Sequence, residues 1–131
     1  MPDLAEPAVV AAGERRPATG LPTGSSGQEA FADATGWVGF ISLPPGATSQ
    51  WHHHGAWASY AVVHRGVLRW EFGVAGGEAI VVGPGGTGRM PAHRVHRDVS
   101  AGGEPLEMTL FRAGHGPLTI SVDGPDGAER A

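Results

Sequence analysis

The apolar positions of the chain fall into short runs over residues 37–43, 59–63, 67–72, 79–82, 95–99, 106–111 and 118–122. Each run is of strand length and rich in β-branched or aromatic residues, and none of useful length repeats with the period of a helix. Glycine and proline punctuate them, as in Pro44-Pro45-Gly46, Arg65-Gly66, Gly83-Pro84-Gly85-Gly86 and Gly102-Gly103. Seven or eight strands with regular turns predict an all-β sandwich or barrel. Over 106–111, Leu106, Met108 and Leu110 alternate with Glu107, Thr109 and Phe111, so one face is apolar and the other mixed. Over 67–72, Leu68, Trp70 and Phe72 oppose Val67, Arg69 and Glu71. With Trp70 and Phe72 outward, that strand would offer an apolar patch to a partner subunit.

The ends read differently. Residues 1–35 carry an excess of Gly, Pro, Ala, Thr and Ser, with one strand-like piece, Ala8-Val9-Val10-Ala11, in their first half. Residues 17–27 read as loop, and Gln28-Glu29-Ala30-Phe31 as a short strand or a turn. From Asp123 onward the chain is polar. The expected organisation is an N-terminal arm with a short strand over 1–35, one β-barrel domain over 36–122, and a flexible tail over 123–131.

A length of 131 residues, 40% of them hydrophobic, suits a single domain with one small core. The net charge is −4 and the basic residues are scattered, which argues against a nucleic-acid partner. Apolar runs as short as Ala79-Ile80-Val81-Val82 argue against a membrane span. The start lacks a basic segment followed by an apolar one, so a cytoplasmic protein is expected. Without cysteine, disulfides, iron–sulfur clusters and thiolate nucleophiles are excluded; without lysine, Schiff-base chemistry is excluded too. The stretch 83–88 is glycine-rich but is followed by neither lysine nor helix, so it reads as a turn and not a phosphate loop.

The chemistry concentrates in Trp51-His52-His53-His54-Gly55 and Pro91-Ala92-His93-Arg94-Val95-His96. On a strand, residues i and i+2 share a face, so His52 and His54 project together while His53 points away. Two imidazoles on one face and a third from a later strand make a first-row metal site with open positions. An exposed His-rich loop is the alternative.

The spacing resembles the cupin family. Its first motif runs Gly, five residues, His-x-His, three or four residues, Glu, six residues, Gly; here Gly46, His52, His54, Ser59 and Gly66 fall at those places. Its second runs Gly, five residues, Pro-x-Gly, two residues, His, three residues, Asn; here Gly85, Pro91, His93, His96 and Ser100 do. The resemblance covers roughly 36 to 120. It implies a single-domain cupin jelly-roll β-barrel with His52, His54 and His96 as ligands of one divalent transition metal per chain (Fe, Zn, Ni, Mn or Cu). The family's fourth ligand, a Glu, is replaced by Ser59, which points to a three-histidine centre. Cupins with such iron sites include thiol and β-diketone dioxygenases. The resemblance therefore implies a small-molecule enzyme, an oxygenase or a Lewis-acid isomerase or cyclase, with a non-catalytic metal- or ligand-binding cupin as the alternative. It also implies a homodimer, to which residues near Val9-Val10 and the aromatic face of 67–72 would contribute.

The remaining residues have quieter expectations. His93 is read as a non-ligand at the surface, at a dimer contact or at the pocket mouth, and His64 and His115 as surface residues. Ser59 would hydrogen-bond a metal-bound water or a substrate oxygen, or fill space. The extra positive charge left by the missing carboxylate favours an anionic ligand. If two of Trp37, Trp51, Trp57 and Tyr60 line the mouth, an aromatic ligand is favoured; otherwise they pack the core or rim. Arg94, Arg97 and Asp98 are expected on the outward face, and Arg69 is an anion clamp only if its strand points it inward. No general base is placed by the sequence.

Overall fold

Alternation becomes two-sided strands in the computed structural model, which describes residues 5–34 and 36–127. The first four residues of the expected arm, Thr35 at its boundary and the last four of the expected tail lie outside the described residues. In chain order the strands are β1 (Arg16–Pro17), β2 (Ser26–Asp33), β3 (Gly36–Leu43), β4 (His52–His53), β5 (Ala58–Arg65), β6 (Leu68–Phe72), β7 (Glu78–Val82), β8 (Thr87–Met90), β9 (His96–Ser100), β10 (Leu106–Ala113) and β11 (Ile120–Ser121). The described helix is confined to two single 3-10 turns, at Ala12–Glu14 and Val74–Gly76. No described helix is long and apolar enough to cross a membrane.

Two antiparallel sheets form a jelly roll. One has the order β1-β2-β3-β10-β5-β8, the other β11-β4-β9-β6-β7. The long ladders β3–β10 and β10–β5 form the backbone of the first sheet. Their inward positions are Trp37, Ile41 and Leu43 on β3, Ala61 and Val63 on β5, and Leu106, Met108 and Leu110 on β10. Leu68 and Trp70 on β6 close the core from the second sheet. Trp70 therefore does not form an outward patch: it is buried, because the apolar parity of β6 faces the core.

Ala8 to Ala11 form no strand, and Val9 is exposed. The strands of that region are instead β1 and β2; β2 includes Gln28 to Phe31, and seven of its eight residues pair with β3 around a register shift between Glu29 and Phe31.

The motif glycines have a physical reason. Gly46, Gly66 and Gly85 all sit at positive φ (77°, 76° and 83°), where a side chain is strained. His93, in a slot where the family has Gly, adopts φ 62° as well. Histidine is among the few non-glycine residues enriched in that region. After Gly46 the chain runs beside β9: Gly46 N–H donates to Ser100 O, Ser100 N–H to Ala47 O, and Ser49 N–H to Asp98 O. That track delivers β4 into register with β9, placing His52 directly opposite His96.

Two tryptophans lie flat over glycines on the inner surface of the first sheet. Trp37 covers Gly39, and Trp70 covers Gly88 from the facing sheet. A Cβ on Gly39 would overlap the Trp37 ring, which also lies beside a buried arginine, Arg112. Gly39→Ala should therefore destabilise the protein by about 2 kcal/mol through overpacking, read as a lower midpoint in urea denaturation. Gly103→Ala, where an added Cβ meets nothing within 4 Å, should leave the midpoint unchanged.

Candidate metal centre

His52, His54 and His96 converge between the two sheets. Each offers a ring nitrogen, and the three lie within 4.8 Å of one another, a group that could hold a metal ion. The ring centroids are 4.4 Å apart for His52 and His96, 4.8 Å for His52 and His54, and 5.1 Å for His54 and His96. All three are buried.

The other nitrogen of each ring is already committed. His52 Nδ1 lies 2.6 Å from Gln50 O, His54 Nδ1 2.6 Å from Leu118 O, and His96 Nδ1 2.8 Å from Arg94 O. A carbonyl only accepts, so each Nδ1 carries the proton and donates it. Each Nε2 then holds a lone pair, and that of His52 has no protein partner. Burial keeps the rings neutral. It lowers the pKa of His52, carries that of His54 well below the usual value, and brings His96 down to about 4, with neighbouring histidines and Arg112 adding in the same direction. Three neutral, pre-oriented imidazole nitrogens fit a first-row transition ion.

His53 lies outside the cluster, with its ring 6.1 Å from His93 and its Nδ1 accepting the Gly55 N–H. It is nevertheless buried, because alternation sets the direction of a side chain, not its exposure. His93 is exposed and is no part of the cluster, and His64 and His115 are exposed too.

Ser59 is buried on β5 and lines a small cavity beside His54 and His96; its Oγ has no hydrogen-bond partner among the described residues. The cavity offers ≈ 10 Å³ to the centre of a water-sized sphere, room for about one water. Trp70, Asp98 and Arg112 share its wall.

Asp98 thus corrects the expectation of an outward face. It stands two residues after His96 on β9, so the two share a face; its Oδ1 accepts from Trp70 Nε1 at 2.7 Å and lies 3.8 Å from His96 Nε2. Arg112 has the inward parity of Leu106, Met108 and Leu110 on β10, and that alternation was its available signal. Arg69 and Arg97 point away from the site and flank Glu71. Of the four aromatics considered for the mouth, Trp37 donates to Glu29 and Trp57 to the Gly116 carbonyl, Trp51 stacks with Arg97, and Tyr60 is exposed; none lines this cavity.

A jelly roll with a buried three-histidine cluster that could hold a metal defines a class of small β-barrels, and comparison makes the class specific. The chain belongs to the cupins: the cupin domain family matches residues 39–112, more than half of the chain. A search of curated proteins gives no significant match. Among solved structures, the fold is similar to an uncharacterised conserved protein with a double-stranded β-helix domain from Klebsiella pneumoniae, at 18% identity and TM-score 0.65, covering 82% of this chain and 90% of that one. It is similar to an oxalate oxidase in complex with the substrate analogue glycolate, at 21% identity and TM-score 0.64, covering 78% and 57%. It is also similar to oxalate decarboxylase from Bacillus subtilis, at 20% identity and TM-score 0.64, covering 78% and 28%. The chain thus spans little more than half of the first oxalate enzyme and under a third of the second.

The lowered histidine pKa values give a sign for acid stability. The unfolded chain protonates these imidazoles near their ordinary value, about 6.5, before the folded state can. Stability is therefore fully present above that value and is lost as the pH falls towards about 4. For His96 alone the loss is roughly 3 kcal/mol. Urea midpoints of metal-free protein should drop between pH 7.5 and pH 4.5, and His96→Gln should flatten that drop.

Proposed function

We propose that the chain binds one divalent transition ion through His52, His54 and His96 and uses it on a small molecule, as an oxygenase or as a Lewis-acid isomerase or cyclase. The observation that carries this reading is that each Nδ1–H of the trio donates to a backbone carbonyl, leaving three buried Nε2 lone pairs for one ion. With no carboxylate at position 59, the donor set favours iron, zinc, nickel or copper over manganese. Such an ion supplies Lewis acidity and, if redox-active, one-electron chemistry. Ser59 can donate its hydroxyl hydrogen to a ligand oxygen. Asp98 is the one carboxylate of the cavity wall and so the group to take a proton from a ligand. The narrow cavity argues for a compact ligand over a flat aromatic one. That the fold resembles oxalate enzymes, one of them holding glycolate, is consistent with that size. The same narrowness favours a second reading, a non-catalytic metal- or ligand-binding cupin.

Protein purified without chelator should carry one transition ion per chain by elemental mass spectrometry. His54→Ala should abolish stoichiometric metal, and His53→Gln should retain it. Oxygen consumption with small chelating substrates, including thiols and β-diketones, separates the readings: full metal occupancy without turnover favours the non-catalytic one.

A homodimer is also proposed, at a different surface from the one expected. Phe31, Val38, Phe111 and Tyr60 form one cross-strand row on the outer face of the first sheet, and Tyr60 and Phe111 are exposed at 40% and 46%. A row of this kind, four strands wide, suits a self-complementary contact. Light scattering should give twice the chain mass at micromolar concentration, and Phe111→Glu should give the monomer.

A further inference from the structure

Among the described residues, His52 Nε2, Ser59 Oγ and Arg112 Nε are buried polar atoms near the site that have no hydrogen-bond partner. They sort by chemistry. The histidine nitrogen offers a lone pair, as its carbonyl-bound Nδ1 dictates. Ser59 can donate, and a guanidinium can only donate. The first atom calls for a cation. The other two call for an anion beside it.

Arg112 is built into this place. It is 4% exposed, and its Nη1 donates to the Leu118 carbonyl at 3.2 Å. The same carbonyl accepts from His54 Nδ1, so the guanidinium lies one carbonyl away from a candidate metal ligand. Ser59 stands directly opposite Arg112 in the β10–β5 register. The Trp37 ring lies 5.0 Å from the Arg112 Cζ and fixes its other side. Burying an unpartnered donor on a cationic side chain is costly unless a ligand completes it.

Charge points the same way. Three neutral imidazoles leave a divalent ion with its full charge, Arg112 adds one more, and Asp98 cancels only one. A dry cavity with that net positive charge is stabilised by an anionic ligand.

We infer that Arg112 and Ser59 form an anion subsite beside the three-histidine centre, which takes a compact carboxylate by pairing one oxygen with the metal and the other with the guanidinium and the serine hydroxyl. The subsite rests on the metal-centre reading. The ligand is small, because the present cavity admits about one water, and a carboxylate enters by displacing that volume and shifting the flexible Met90 and Met108 side chains at its wall.

The test uses the full chain loaded with cobalt(II), with formate as the probe and the visible d–d spectrum as the readout. Wild-type protein should take up one cobalt and change its spectrum on saturable formate binding. Arg112→Gln should keep cobalt at equal or tighter affinity, since one positive charge beside the ion is gone. Its formate dissociation constant should rise about tenfold or more. Ser59→Ala should raise it by a smaller factor. An arginine with a merely structural role would lose metal and formate together or change neither. Formate binding unchanged in Arg112→Gln overturns the subsite and leaves the metal centre standing, whereas wild-type protein that takes up no cobalt overturns both. Should Arg112→Gln fail to fold, Arg112→Lys decides: it keeps the charge without the planar fork, weaker formate binding supports the subsite, and unchanged binding overturns it.

Discussion

Three hydrogen bonds from imidazole to backbone hold the functional part of this barrel together. Gln50, Leu118 and Arg94 each offer a carbonyl oxygen to a histidine Nδ1, and that choice of acceptor decides the tautomer. A carboxylate or water in the same places would leave the ring freer to turn or to protonate. The acceptors come from three segments: the approach to β4, the approach to β9 and the stretch before β11. Two are local, since Gln50 and Arg94 lie two residues before the histidines they orient. The third spans most of the barrel's sequence. Orientation of the site is thus a property of backbone paths, and those paths are set by glycines at positive φ and by the β4–β9 register.

A dry interior gives the arrangement its electrostatic character. Desolvation keeps the imidazoles uncharged and tolerates Arg112 only at a lowered pKa of about 10, with Asp98 pulling the other way. The aspartate is itself held by the Trp70 indole and, through its backbone, by Ser49. Three polar residues of the wall thus lean on loops: Asp98 on Ser49, and His54 and Arg112 on the Leu118 carbonyl. Gly39 and Gly88 leave room for the Trp37 and Trp70 rings against the strands, where a Cβ would overlap them.

The sequence was most legible where one strand carries its own alternation. The apolar runs at 37–43, 59–63, 67–72, 79–82 and 106–111 all lie within or largely within strands, and the spacing of His52, His54 and His96 anticipated their meeting. Legibility failed where a partner supplies the reason for the local structure. Thr87 and Gly88 read as the end of a turn, yet they open a strand whose glycine accommodates Trp70. Of Ser26 to Asp33 only Gln28 to Phe31 reads as a short strand or a turn, and the full strand is held by pairing with β3. Asp98 and Arg112 had the right parity for the interior, but charge argues for solvent until Trp70 Nε1 and Leu118 O are seen as their partners. Trp70 and Phe72 share a parity on β6, and only the position of that strand within its sheet tells which side is covered.

The Leu118 carbonyl lies beyond residue 112, where the match to the cupin family ends. The recognisable module holds every histidine of the trio but not the oxygen that aims one of them, so the inherited unit and the working unit have different borders. Insertions in the 114–119 loop would leave the family signature intact while turning the His54 ring out of line. Descent of the barrel can then be read from its glycines and histidines. The aim of His54 has to be read from a backbone atom that any amino acid can supply and that no motif records.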